Sequence, residues 1–193
     1  MGRGSRGDAT QAHVIAVAKG VFAADGFIKA SLAEIVEKAG VTTGAVYHHF
    51  GDKKGLFKAV AEHLEQEILN EVGKVPTGKE PWQAFETKIL ATLKICSRPD
   101  IQRIVFQEAP NVIGAAAWLE IEMRYAFGDM QKTIKSLAHE GLIHAPDPNL
   151  TAQILLGAVI QAAHGIAMSN SKAKALADVQ STVTRVVRAL RTY

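Results

Sequence analysis

SLAEIVEKAGVTTGAVYHHFGDKK, residues 31–54, decides how this chain is read. Leu32, Ile35, Val36 and Ala39 recur at three- and four-residue intervals and therefore share one face of a short helix. Ser31 is a good N-cap, and Glu34 three residues later completes a capping-box pattern. Gly40 stands where that helix must end, because it tolerates the left-handed backbone of a C-terminal cap. Val41 then serves as an apolar plug, and Thr42 or Thr43 caps a second short helix carrying Gly44, Ala45, Val46, Tyr47 and His48. Two short helices about a glycine corner form the helix-turn-helix pattern, whose second helix enters the major groove of DNA. Such a corner alone often does no more than turn the chain. Here the outer face of the second helix carries hydroxyls, an aromatic ring and histidine in place of Lys/Glu pairs. Asp52 caps a further helix whose first turn holds Lys53 and Lys54. Two cations there oppose the helix dipole, so a phosphate partner explains them better than local stability does.

The run from Gly40 to Phe50, followed by Asp52, Lys53, Lys54, Gly55 and Leu56, resembles the N-terminal domain of the tetracycline-repressor (TetR) family. Upstream, Val14-Ile15, Val17-Ala18, Val21-Phe22 and Gly26-Phe27 are similar to that family's first helix and its Gly-Phe exit. The likeness covers the first quarter of the chain. Ala33 stands where many members carry a DNA-contacting arginine, and Val36 where a small alanine is usual. The resemblance implies an all-α protein of about nine helices: a three-helix DNA-binding head over 1–58, and a ligand-binding, dimerising body over 59–193. It also implies a repressor that binds a pseudo-palindromic operator in double-stranded DNA as a homodimer and is released by a small, largely apolar molecule. The reading helix then offers Thr43, Gly44, Tyr47 and His48 to the groove, while Ser31, Thr42, His49 and Lys53 approach phosphates.

Composition agrees with that class. Apolar residues make up 48% and charged residues 21%, the balance of a water-soluble globular chain with a real core. Residues 1–58 hold eight Lys/Arg against five Asp/Glu and residues 59–193 fourteen of each, so the whole net charge of +3 lies with the helix-turn-helix. One cysteine, Cys96, excludes an internal disulfide framework and fits a reducing cytoplasm, where a small buried residue is its ordinary role. The first ten residues lack a signal peptide's apolar stretch; Arg3 and Arg6 lie there in a Gly-rich arm suited to a minor groove on binding, or left by expression. The segment 149–168 comes nearest to a membrane span, but Gln153, Gln161 and His164 interrupt it, and no membrane partner is expected. There is no G-x-S-x-G, no H-E-x-x-H and no phosphate-cradling glycine loop, and the scattered histidines call for no metal or cofactor. An enzyme or carrier that keeps the corner as scaffold is the alternative from another class.

Helices are expected over 10–25 (capped by Thr10), 52–72, 82–97, 99 to before Pro110, 114–140, 149–168 and 173–191. The stretch 52–72 has no proline and forms a rod linking head to body. In the body, Phe85, Ile89 and Leu93, with Trp118, Glu122 and Tyr125 and the polar pair Gln161 and His164, are candidates for a ligand pocket, with plain core as the blander reading. Leu155 and Val159 on the penultimate helix, with Val179, Val183, Val186 and Leu190 spaced by threes and fours on the last, form a seam for a four-helix dimer interface or the centre of a bundle.

Overall fold

The Schellman geometry at Gly40 shows how local chemistry builds this fold. In the computed structural model, which describes residues 3–192 with side chains from Gly7 onward, Gly40 has φ 62° and ψ 30°. Its N–H donates to Glu37 O and that of Val41 to Val36 O, satisfying carbonyls that the end of α2 (Leu32–Ala39) would otherwise orphan. The Ser31 hydroxyl accepts the Glu34 N–H at 3.5 Å, so half of the capping box forms. The other half does not: the Glu34 carboxylate pairs with Lys38 at 2.7 Å, one turn along. α3 (Thr43–Phe50) starts on Thr42, whose hydroxyl accepts the Ala45 N–H at 3.2 Å. α4 (Lys53–Gly73) starts on Asp52, whose carboxylate accepts the Gly55 N–H at 2.6 Å.

α1 (Arg3–Lys29) starts well before Thr10, which lies inside the helix and does not cap it. No proline interrupts 3–9, so the ladder continues past the first residue that looks like a cap. The backbone of Arg3 and Arg6 is therefore helical, while their side chains, and any groove contact, lie outside the described residues. α5 (Pro81–Cys96) opens on its proline as expected. α6 occupies residues 99–112 as three joined pieces: Pro99–Ile101, a π-helical turn Gln102–Glu108, and Ala109–Val112. It was expected to stop before Pro110 and instead runs through it. The wide turn carries the change, because Ala109 N–H donates five residues back to Ile104 O and the proline sits where no N–H is needed. Ala109 is fully buried, and that packing overrides the usual aversion of a pre-proline residue to helix.

α7 (Ala115–His139) ends on left-handed Gly141, and α8 (Pro148–Met168) starts on Asp147, whose carboxylate accepts the Asn149 and Leu150 N–H groups at 2.8 and 3.1 Å. α9 (Lys172–Arg188) stops three residues short of Arg191. Arg191 is spent on an antiparallel bridge to Ile143, with its guanidinium 5.6 Å from the Trp82 ring centre, so it does not complement the α9 dipole. These nine helices account for the secondary structure; among the described residues no strand forms beyond that bridge.

Two compact units result. The first joins residues 1–64 to residues 99–118. Its core sets Phe22 against Phe57 at 5.1 Å and Phe27 against Phe57 at 5.2 Å, both edge-on, beneath Ile35, Val46, Leu56 and Leu64. The second joins residues 65–98 to residues 119–193. Trp82, Phe85, Ile89, Leu93, Ile134, Leu155, Val159 and Val183 build its core. α8 is long and apolar enough to cross a bilayer by length and composition, but its inner face, including Ala152, Leu156, Ala163 and Ile166, is buried in the protein.

Two carboxylates lie in the second unit's interior. Glu65 and Glu122 are 6% and 4% exposed. Burial first, and the Glu122 charge second, push the Glu65 carboxyl up to about 8, so it carries its proton at neutral pH. The same burial and the two carboxylates push the buried Cys96 thiol up, which leaves it inert. A carboxyl whose folded pKa is raised stabilises the protein fully below its unfolded value near 4.5, and that stability is lost as pH rises towards about 8. The melting temperature should therefore fall between pH 5 and 8, and Glu65→Gln should flatten the fall and stabilise the protein at pH 8 by on the order of a few kcal/mol. Thermal melts of parent and variant across that range check it; identical pH profiles would place Glu65 in water.

Candidate nucleic-acid interface

α3 is eight residues long, and only Val46 on it is fully buried, at 1% exposure. That single anchor leaves Thr43, Gly44, Tyr47 and His48 on one open face, with Tyr47 52% exposed. Thr42 is exposed beside them at the cap. An exposed tyrosine and histidine on a two-turn helix gain nothing from the core; they are displayed. Ser31 is exposed at the start of α2, 11 residues before Thr42 in sequence, and both hydroxyls mark helix N-termini, where backbone N–H groups favour anions. His49 turns off this face: it is half-buried, edge-on to His48 at 5.2 Å, and near Gly7 in the first turns of α1.

Lys53 and Lys54 part company. Lys53 is half-buried, its ammonium 4.7 Å from the Phe27 ring centre and donating to Ile28 O at 3.3 Å, whereas Lys54 is exposed. Lys53 thus fastens α4 to the exit of α1, with one of its three N–H donors engaged on Ile28 O. Ile28 beside it is 91% exposed, an isolated large apolar side chain on the head.

The corner that carries Ile28 is held from α6 as well. Gly26 breaks α1 with φ 75° and ψ 167°, a conformation essentially reserved for glycine. A side chain there would also collide with the Glu108 carboxylate. That carboxylate accepts the Phe27 N–H at 2.9 Å, and Arg103 donates to Ala23 O at 2.7 Å and to Ala24 O. The cation thus sits on carbonyls at the C-terminal end of α1 and the anion on the freed N–H beyond it, each matching the local dipole. Sequence reading missed both residues. The one available signal was the order Arg-x-x-x-x-Glu on a helix apolar on its other faces.

The candidate ligand residues do not converge on one site. Phe85 and Ile89 line a cavity of about 250 Å³, whereas Gln161 lines, with Ile89, a separate groove of about 410 Å³ between α8 and α9. Leu93 is wholly in the core, the Tyr125 hydroxyl accepts from Gln66 at 3.2 Å, and His164 is half-buried. Glu122 is buried, as above, and Trp118 belongs to the first unit, its indole N–H buried without a hydrogen-bond partner. Of the seam residues, Leu155, Val159, Val179, Val183 and Val186 line the α8/α9 groove. Leu155, Val159 and Val183 are at the same time buried in the unit's own core, Val186 is 50% exposed, and Leu190 lies beyond the end of α9, packed on the core.

Residues 82–190 match the family model described as tetracyclin repressor-like, C-terminal domain, and residues 14–60 match that of the bacterial regulatory proteins, tetR family. The chain belongs to the TetR family. A TetR-family transcriptional regulator of Pectobacterium atrosepticum superposes with TM-score 0.88 at 31% identity, covering 100% of this chain and 99% of that one. The HTH-type transcriptional repressor BepR of Brucella suis is 31% identical over 100 residues, 50% of this chain and 47% of BepR, so the match spans about half of that relative. The transposon Tn10 TetC protein of Escherichia coli is 26% identical over 93% of this chain and 89% of its own length. Residues 14–60, which include the exposed α3 face, are thus a TetR-type helix-turn-helix head.

The Gly26 corner gives a test of how the head is held. Gly26→Ala should lower stability by about 1–3 kcal/mol through the backbone alone, and by more through the collision with Glu108. Adding Glu108→Ala should recover the collision but not the backbone strain, so the double variant should be more stable than the sum of the single effects. Denaturant midpoints at constant slope measure this; strict additivity would separate the two residues.

Proposed function

We propose that the protein is a cytoplasmic, homodimeric repressor that reads a pseudo-palindromic operator with α3 and is released when a small molecule binds the second unit. The observation that carries this reading is the display of Thr43, Gly44, Tyr47 and His48 on a helix anchored by Val46 alone, within a chain that resembles a TetR-family regulator over its whole length. Tyr47 and His48 meet base edges; Ser31, Thr42, His49 and Lys53 meet phosphates. Such a dimer places its two reading helices about 34–36 Å apart, one turn of DNA.

The assembly proposal rests on what α8 and α9 leave uncovered. Ile154 is 71% exposed, Leu150 57% and Met168 76% on α8, and Val186, 50% exposed on α9, lines with Ala158, Gly165, Val179 and Val183 a groove with little polar lining. A large exposed apolar patch on a soluble protein marks an interaction surface, and a two-fold copy of the same patch covers it. α4 runs from the first unit into the second, so this helix brings a ligand's effect to the head. A ligand releases DNA only as far as it binds the DNA-free state more tightly.

Footprinting on the DNA upstream of its own gene tests the reading. Tyr47→Ala should lose about tenfold or more in operator affinity, 1–3 kcal/mol, while its weak binding to unrelated DNA stays the same. Equal loss on every sequence would move Tyr47 from the groove to the backbone. For assembly, the parent should sediment as a dimer at micromolar concentration, and Val186→Asp, on the exposed side of the seam, should give folded monomers. Val183→Asp, being buried, should instead unfold the unit. A monomeric parent would end the dimer proposal.

A further inference from the structure

The cavity of about 250 Å³ in the second unit is bounded by the end of α4 and by α5, α7 and α8. Its floor is apolar and fixed: Phe85, Ile89, Leu156 and Val159 are each at most 6% exposed. Its rim is charged. Lys88 comes from α5 and Lys132 from α7, and both ammonium groups are exposed, with no ion-pair partner among the described residues. Asp129 is the one carboxylate in the lining, so the rim holds a surplus positive charge. The two rim hydroxyls cannot serve as donors, because Thr92 donates to Lys88 O at 2.8 Å and Thr133 to Asp129 O at 2.9 Å. The lysines are therefore the hydrogen-bond donors left for a guest. A cavity of 150 Å³ holds benzene, so this one accommodates roughly ten non-hydrogen atoms.

We infer that this cavity binds a small apolar anion, an aryl or alkyl carboxylate, with its body on Phe85, Ile89, Leu156 and Val159 and its carboxylate held by Lys88 and Lys132. The inference rests on the reading of the second unit as the ligand-binding part of a repressor, and names the class of ligand. An apolar floor supplies affinity for any molecule of that size, so the rim sets the charge selectivity. A cationic guest would meet two ammonium groups and one carboxylate. A neutral one would give the lysines nothing beyond an ordinary hydrogen bond.

The experiment compares three molecules of one shape on the intact protein by calorimetry: 3-phenylpropanoate, its primary amide, and 3-phenylpropylamine. The carboxylate should bind about tenfold more tightly than the amide, and the amine more weakly than either. The Lys88→Gln/Lys132→Gln double variant changes only exposed side chains; it should bring the carboxylate down to the level of the amide and leave the amide unchanged. An amide as tight as the carboxylate, a tighter amine, a double variant that binds the carboxylate like the parent, or no binding of the carboxylate at millimolar concentration would each overturn the inference. A parallel titration of 3-phenylpropanoate into the protein–operator complex separates the two readings. Selective binding without release of DNA keeps the anion site and ends its role as effector, whereas absence of any operator complex counts against the repressor reading alone.

Discussion

A helix C-terminus cannot be left alone in a protein interior, and the end of α1 is the place where this chain meets that requirement. The carbonyls of Ala23 and Ala24 receive the Arg103 guanidinium, Gly26 turns the chain out of the helix, and Glu108 takes the Phe27 N–H that the turn exposes. The turn aims the Phe27 ring at Phe57, 5.2 Å away, while Lys53 closes over its other side. From that corner follow the seat of Ala30, the start of α2 at Ser31 and, through the Gly40 turn, the direction of α3. α3 has one deeply buried residue of its own, Val46, so its placement is inherited from these neighbours.

What could be read in advance was what chemistry settles within a turn or two of chain. Ser31, Thr42, Asp52 and Asp147 cap the helices they precede because a side-chain oxygen three residues from an orphan N–H finds it regardless of context. Gly40 and Gly141 end theirs for equally local reasons. The exposed face of α3 was legible because Val46 and the Gly40 corner fix which side turns inward. Partners distant in sequence were not legible: Arg103 and Glu108 act 80 and 81 residues away from the groups they bind. Pro110 suggested an ending, and the π-helical turn ahead of it removed the clash that would have made one. The ligand set scattered because an apolar stripe shows that a residue is inside, not which of several interior places it occupies. Leu93 and Phe85 share a helix face, yet only Phe85 reaches the cavity among the two.

Glu65 and Glu122 show the same limit from the other side. Glu65 follows Leu64 and stands three residues before Ile68, on the buried side of α4; Glu122 stands one turn after Trp118 on α7. Read by residue type, both belong in water; read by position, both belong to the core, and position prevailed. A carboxyl kept protonated by burial behaves as a hydrogen-bonding group without charge, which is how Glu65 is tolerated beside Glu122 in one interior. The second unit thereby holds the Glu65 carboxyl in its neutral form inside and exposed lysines, Lys88 and Lys132, outside.

The first unit is not a continuous stretch of chain. Residues 1–64 and 99–118 share one core, and the segment between them belongs to the other unit. On a ribosome the head therefore cannot finish when its own helix-turn-helix has emerged; Arg103 and Glu108 arrive only after α5 has been made. Grafting α1 to α4 of this protein onto another body, by joining at the end of α4, would leave the α1 corner without its ions. The boundaries between the two units therefore fall after residues 64, 98 and 118, the last two on either side of α6, rather than between the matched segments 14–60 and 82–190.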